Sequence, residues 1–253
     1  MSRRGAPSQG PAPLRDVLIV GGGCYGTFYA RQLETAVDRG GLALRRVILM
    51  DRDPGCRAAK ELPTSPAREL RTVEWHAGLR EFLDTPAPPP GEPDDAVVPS
   101  PLMPHLFAEW LAERAHAHWP DRPARLVTPP EPFGTPYDAV GPDGVRYVSF
   151  ADWICPTHCV EPLVCPMIRG PRTWEMGDAF GDYARRLAGR GAVAGPALFT
   201  TRHHAYGVGM IHAREIRAGL ALLADAGASR DPIDLLIGTV SACHGAASLL
   251  RIG

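Results

Sequence analysis

The chain lacks several features that mark broad protein classes. No apolar run approaches the length of a membrane span, and 27 Lys and Arg residues balance 28 Asp and Glu residues, for a formal net charge of −1. These absences argue against a membrane protein and against a nucleic-acid-binding protein. There is also no internal repeat, no heptad pattern and no G-x-S-x-G motif.

An apolar signal segment is missing as well. Residues 1–13 are rich in Pro, Gly, Ser and Arg and contain no apolar core, which predicts a disordered tail rather than a secretory signal. We therefore expect a cytoplasmic protein whose six cysteines are not used mainly for disulfides. Proline, at 27 residues, has about twice its usual share, which predicts much loop or extended structure.

The most informative segment that is present is an apolar strand running into a glycine-rich turn. The strand is Val17–Val20, a helical pattern covers Thr27–Val37, and a second apolar strand, Arg46–Met50, ends in Asp51. The turn between the first strand and the helix has the spacing G-x-G-x-x-G and consists of Gly21, Gly22, Gly23, Cys24, Tyr25 and Gly26.

Each part of this pattern has a physical role in holding a dinucleotide. Gly21 permits the tight turn, Gly23 lets a pyrophosphate approach the backbone, and Gly26 lets the helix pack close to the strand. The helix N-terminus offers N–H groups and a positive dipole end to phosphates. Asp51 can accept hydrogen bonds from a ribose diol, whereas Arg52 can meet a 2′-phosphate.

Residues 14–52 thus resemble the Rossmann dinucleotide-binding fingerprint. The resemblance implies bound NAD, with NADP and FAD as alternatives, and binding by residues 21–26 together with Asp51 and Arg52. Two other interpretations stay open. One is a glycine turn without a ligand. The other is a methyltransferase, which also has a glycine turn and an acid after the second strand, although Gly26 favours the dinucleotide.

The remaining pattern predicts an α/β protein, with a Rossmann-like parallel sheet and an irregular insertion rich in proline and cysteine. Further strands are predicted at Arg71–His76, Ala96–Pro99, Tyr147–Phe150, Ala197–Thr201 and Leu235–Val240, and helices at Leu106–His118 and Asp178–Leu187. The predicted divisions are a tail at 1–13, a nucleotide-binding unit at 14–119, the insertion at 120–175 and α/β elements at 176–253. These last elements either extend the first sheet or build a second one.

The insertion contains half of all the cysteines within eleven residues. Cys155, Cys159 and Cys165 have the spacing C-x3-C-x5-C, and prolines directly follow the first and the third. Proline-punctuated loops suit thiolate clusters, because they leave backbone N–H groups free to point at sulfur. The spacing itself matches neither the ferredoxin types nor the paired C-x2-C of zinc ribbons.

We therefore predict a thiolate-ligated metal centre. Cys243 is the leading fourth ligand, and His158 is the alternative. Thiolates select iron–sulfur clusters or zinc, and a redox cofactor in the same chain favours iron–sulfur. Free cysteines in a tight loop remain the other interpretation.

Two weaker signals follow later strands. His204 and His212 stand in a glycine-containing segment after Ala197–Thr201, which we take as a strand-to-helix connection, and are candidates for an acid or base. Surface histidines in a turn are the alternative. The run Ser241-Ala-Cys243-His244 offers a nucleophile beside a base, which weakly suggests a hydrolase.

Three classes of function follow from these signals. The first is an oxidoreductase that moves hydride or electrons between a nicotinamide or flavin and a small-molecule substrate, a metal centre or a redox partner protein. The second is a non-catalytic redox or nucleotide sensor. The third is a partner subunit of a larger complex. Only the first predicts turnover.

Overall fold

The computed structural model describes residues 12–156 and 159–253, so the predicted tail lies outside the described residues except for its last two. The strands are β1 (Ala12–Pro13), β2 (Asp16–Val20), β3 (Leu42–Ala43), β4 (Arg46–Asp51), β5 (Arg68–Thr72), β6 (Ala96–Val98), β7 (Ala124–Val127), β8 (Tyr137–Val140), β9 (Arg146–Ser149), β10 (Val164–Cys165), β11 (Gly170–Pro171), β12 (Val193–Thr200), β13 (Arg202–Ala205), β14 (Val208–His212), β15 (Ile233–Val240) and β16 (His244–Ile252). The helices are α1 (Cys24–Asp38), α2 (Arg57–Glu61), α3 (Trp75–Asp84), α4 (Leu106–His118), α5 (Met176–Ala188) and α6 (Ala213–Gly227).

Tertiary contacts divide the chain into two units. The first comprises Met1–Ser100 and His203–Ala213, and the second comprises Pro101–Arg202 and Arg214–Gly253. The composition of the sequence does not change where the chain returns to the first unit at His203–Ala213, so this return could not be predicted. The mixed α/β class is confirmed, with parallel and antiparallel pairs in the sheets.

The first unit is built on a sheet with the strand order β13-β14-β6-β2-β4-β5. Strands β6, β2, β4 and β5 are parallel to one another, whereas β14 is antiparallel to β6. Every residue of β2 is buried, because helices in a parallel sheet cover both faces. Ala30, Leu33 and Ala36 of α1 belong to the apolar core on this sheet.

Buried charges are paired at the start of β2. Asp16, only 4% exposed, accepts hydrogen bonds from Arg45 Nη2 at 2.6 Å and from Arg46 Nη2 at 2.7 Å. Its neighbour Arg15 bonds Asp95, which is 1% exposed. Burial alone would raise the pKa of Asp16, but the two arginines outweigh it and lower that pKa.

The second unit has a mixed sheet with the order β12-β15-β16-β9-β8, and β7 also pairs with β16. Strand β15 is parallel to β12 and antiparallel to β16. Helix α5 buries Phe180 and Tyr183 in the core of this unit, where the ring of Tyr183 stacks on Phe133 at 3.9 Å.

Several predicted elements differ from those observed. The helix at Leu106–His118 is confirmed. The strand predicted at Arg71–His76 is wrong in its bounds, since β5 ends at Thr72 and α3 begins at Trp75. The segment 120–171 holds three strands of the second sheet rather than one, and β16 was not predicted. Its residues 244–248 are mainly small, so they lack the branched apolar side chains that signal a strand.

Within the part of the chain that is described, no helix has both the length and the apolar character needed to cross a membrane.

Candidate functional site

The glycine turn connects β2 to α1 in the first unit. Gly21 has φ +90°, a conformation that favours glycine, and its N–H bonds the carbonyl of Met50 at 2.8 Å. Gly23 is the N-cap of α1, and its carbonyl accepts bonds from the N–H of Thr27 at 3.0 Å and from Thr27 Oγ1 at 2.7 Å. The turn is therefore held by backbone bonds on both sides and by the Thr27 hydroxyl.

The glycines of this turn face different surroundings. A Cβ atom at position 26 would overlap the carbonyl oxygen of Gly21, and one at position 22 would lie 2.5 Å from Cys56 Sγ. A Cβ at Gly23 would have no atom of residues 12–156 or 159–253 within 4 Å. Gly22 and Gly26 are thus required by packing, while Gly23 presents bare backbone to open space.

The start of α1 has two features that suit an anion. Its first turn contains no acidic residue, and the first N–H groups of an α-helix have no acceptor within the helix. Cys24 and Tyr25, the first two helical residues, are exposed. An anionic group beside Gly23 would meet both the N–H groups and the positive end of the helix dipole.

Asp51 reaches the glycine turn from the end of β4. Its Oδ2 accepts a hydrogen bond from the N–H of Gly22 at 2.6 Å, and its Oδ1 accepts one from the N–H of Asp53 at 2.9 Å. Each carboxylate oxygen has a second lone pair, so the group can still accept from a ligand hydroxyl. Arg52 follows it and is exposed.

Trp75 covers the other side of the turn, a contact that sequence reasoning missed because it assigned this residue to a strand. A Cβ at Gly21 would lie 3.4 Å from Cζ2 of the indole ring. The Nε1 atom of Trp75 is buried and has no hydrogen-bond partner in the described chain. It is therefore an available donor close to the turn.

The two candidate histidines come together in the same unit. The rings of His204 and His212 lie 4.9 Å apart, edge to face, and His212 Nδ1 is 3.4 Å from Oδ2 of the buried Asp94. The segment between them is a turn between two strands, β13 and β14, with positive φ at Tyr206 and Gly207. The prediction of a strand-to-helix connection for this segment is wrong.

Strand register separates these histidines from the glycine turn. His212 is opposite Ala96, and Ala96 is opposite Val17 near the start of β2. The glycine turn follows Val20 at the other end of that strand. The glycine turn and His212 thus lie toward opposite ends of β2.

The predicted metal ligands lie in the second unit and share one electrostatic neighbourhood. Burial raises the pKa of the Cys155 thiol, and the negative charges of Cys159 and Cys165 raise it further. Burial raises the pKa of Cys243 to about 11, and the charge of Cys155 adds to that shift. The pKa values of Cys155 and Cys243 therefore depend in part on other cysteines of the predicted set.

Hydrogen-bond donors point at two of these sulfurs. Trp174 Nε1 donates to Cys243 Sγ at 3.4 Å, and the backbone N–H of Glu161 donates to Cys159 Sγ at 3.4 Å. No pattern in the sequence reveals the donor role of Trp174.

The cysteines of the described residues do not form a ready-made metal cage. Across residues 12–156 and 159–253, no three His, Cys, Asp or Glu side chains are arranged to hold a metal ion. Binding at these thiols therefore requires side-chain rotation or movement of the cysteine loop. His158, the alternative fourth ligand, lies outside the described residues.

The weak hydrolase pattern does not form a nucleophile–base pair between its own members. Ser241 Oγ donates to Glu161 Oε1 at 2.6 Å, and Nδ1 of His244 is 2.9 Å from Oγ of Ser149. Ser149 is buried and bonds the backbone of Ala151 as well. This hydroxyl is therefore engaged in structure.

Comparison with known proteins matches the later part of the chain. Residues 107–253 match the family model AF_1314_C, described as "Uncharacterized protein, C-terminal domain". The comparisons with curated proteins and with solved structures found no match. The matched range covers more than half of the chain and includes Cys155, Cys159, Cys165 and Cys243, but not the glycine turn. The chain belongs to the AF_1314_C family.

Proposed function

We propose that the first unit binds a dinucleotide at the glycine turn, with NAD ahead of NADP and FAD. The observation that carries this proposal is the contrast between Gly26, where no side chain fits, and Gly23, where bare backbone faces open space at the N-terminus of α1. Close helix approach and an accessible backbone are the two separate demands of a pyrophosphate turn.

The sheet order supports the same proposal. Strand β2, which leads into the glycine turn, lies between β4 and β6, and β5 lies beyond β4. All four strands are parallel. A Rossmann-type unit also has its second strand and a later strand on either side of its glycine-bearing strand, and it binds ligands beyond the carboxyl ends of the strands. Asp51 stands at the carboxyl end of β4, where a ribose diol would be held.

Calorimetry with NAD, NADP and FAD tests dinucleotide binding directly. We expect wild type to bind NAD and Gly23→Leu to lose that binding, because a side chain at this position blocks the pyrophosphate. Gly191→Leu is the matched control, since Gly191 also has nothing within 4 Å of a built Cβ but lies in the second unit. The absence of binding to all three dinucleotides by folded wild type would refute the proposal.

For the second unit we propose a metal centre on Cys155, Cys159, Cys165 and Cys243, an iron–sulfur cluster ahead of zinc. The N–H groups directed at Cys159 and Cys243 support it, because such bonds stabilise thiolates and tune metal–sulfur centres. When bound, an iron–sulfur cluster would supply one-electron chemistry, while a zinc ion would serve structure or Lewis acidity.

Anaerobic purification followed by absorbance spectroscopy and metal analysis tests the centre. We expect bound metal in wild type and loss of it in Cys155→Ser. Cys24→Ser, which changes an exposed cysteine of the first unit, should keep its metal. Metal-free wild type, prepared and reconstituted without oxygen, would leave free thiols as the correct interpretation.

An oxidoreductase is the activity that these two sites support best, with a sensor or partner subunit as the alternative. Large apolar side chains beside the cysteines are exposed, among them Ile154 at 93% and Val164 at 64%. They favour a redox partner protein over a small-molecule substrate at this segment. Oxidation of NADH with an artificial electron acceptor would establish turnover, and tight NADH binding without turnover would favour the sensor.

A further inference from the structure

One carboxylate holds the turn that carries Cys243. Glu161 accepts hydrogen bonds from Ser241 Oγ at 2.6 Å, from the N–H of Ala242 at 2.8 Å and from the N–H of Cys243 at 3.2 Å. Three donors from consecutive residues thus converge on a single side chain about eighty residues away in sequence. Charge-assisted bonds of this kind are roughly twice as strong as neutral ones.

The backbone of the same residue holds Cys159. The N–H of Glu161 donates to Cys159 Sγ at 3.4 Å. Glu161 has φ 49°, the left-handed region that a non-glycine residue adopts only at a cost in free energy. Its side chain and its backbone therefore contact the two chain segments that contribute cysteines, and the three bonds to its carboxylate offset the backbone cost.

We propose that Glu161 is a positioning residue that assembles the thiolate centre by fixing the Cys243 turn against the loop of Cys155, Cys159 and Cys165. This inference rests on the proposed metal centre. Cys243 comes from the connection between β15 and β16, and the loop of the other three has only the two-residue strands β10 and β11. Without Glu161, little regular structure would keep the fourth sulfur near the first three.

The test compares Glu161→Ala, Glu161→Gln and wild type in the full chain, each reconstituted anaerobically with iron and sulfide or with zinc. We expect Glu161→Ala to weaken metal affinity about 10- to 100-fold, the range for residues that orient ligands, and to lose the metal-dependent absorbance. Glu161→Gln keeps an amide oxygen for one or two of the donors, so it should recover part of the metal content. Glu175→Gln, which removes an exposed carboxylate paired with Arg172, is the matched control and should bind like wild type.

The results distinguish a failure of the metal centre from a failure of the positioning role of Glu161. Wild type without metal would overturn the centre and the role of Glu161 together. Wild type with metal and Glu161→Ala with the same affinity and spectrum would overturn only the role of Glu161. If Glu161→Ala does not fold by circular dichroism, Glu161→Gln decides, and full metal affinity in that folded variant together with full affinity in Ser241→Ala would overturn the inference.

Discussion

Gly26 lies so close to Gly21 that a methyl group on residue 26 would overlap the carbonyl oxygen of residue 21. The first turn of α1 is thereby pressed against the end of β2, and nothing larger than hydrogen fits between them. Gly23, three residues earlier, has the opposite environment, with φ −73° and open space around a built Cβ. The two glycines therefore have separable roles, one in packing and one in access.

The first prediction uses this contrast. Gly26→Ala should lower the free energy of unfolding of the first unit by about 3 kcal/mol, since overpacking against fixed backbone has that order of cost. Gly23→Ala should change it by less than about 1 kcal/mol. Denaturant unfolding followed by circular dichroism measures both. Equal stability of the two variants would show that the helix can withdraw from the strand at no cost.

The local features of the glycine turn could be predicted from the sequence, whereas its tertiary contacts could not. The strand, the glycine spacing and Asp51 are local features, and all of them appear in the structure where the pattern predicted them. The bond from the N–H of Gly22 to Asp51, and the cover provided by Trp75, depend on tertiary placement. No periodicity in one segment encodes which distant indole will reach it.

The second unit was predicted less well for a related reason. Strand β16 is central in its sheet, pairing with β15, β9 and β7, yet residues 244–248 are mainly small, and its strand character comes from its partners. Glu161 likewise lies among prolines and cysteines and carries no motif. Its role emerges only because the chain returns with Ser241 to Cys243 eighty residues later.

The second prediction concerns cofactor choice. Wild type should bind NAD roughly 100-fold more tightly than NADP, since the Asp51 carboxylate near a 2′-phosphate should cost about 3 kcal/mol. Asp51→Asn should bring the two affinities closer, because the amide is uncharged. Calorimetry with both dinucleotides gives the ratio. Arg52→Ala supplies the check: if Arg52 rather than Asp51 governs the choice, that variant will lose NADP affinity and wild type will show no preference for NAD.

The third prediction is a pH dependence of stability centred on Asp16. Its pKa is lowered in the folded protein, so its contribution to stability is present above the unfolded pKa, near 4, and is lost as the pH falls through the lower folded value. Asp16→Asn should be less stable than wild type at pH 7 by about 3 kcal/mol, the cost of breaking a buried pair. Thermal unfolding across pH 2 to 7 should show the two proteins converging as the pH falls. If the difference in stability between wild type and Asp16→Asn is unchanged at pH 2, the lost stability does not come from the ionised carboxylate.

The fourth prediction concerns the thiol of Cys243 in metal-free protein. Burial raises its pKa to about 11, and the N–H of Trp174 works against that shift. At pH 8 only about one molecule in a thousand therefore carries the reactive thiolate, and alkylation by iodoacetamide should be slow. The exposed Cys24 provides an internal reference in the same digest, measured by mass spectrometry.

Trp174→Phe should slow alkylation of Cys243 at a given pH, because losing the donor raises the pKa of the thiol further. Faster reaction in that variant would instead mean that the indole protects the sulfur sterically, and reaction of wild-type Cys243 as fast as Cys24 would contradict its burial.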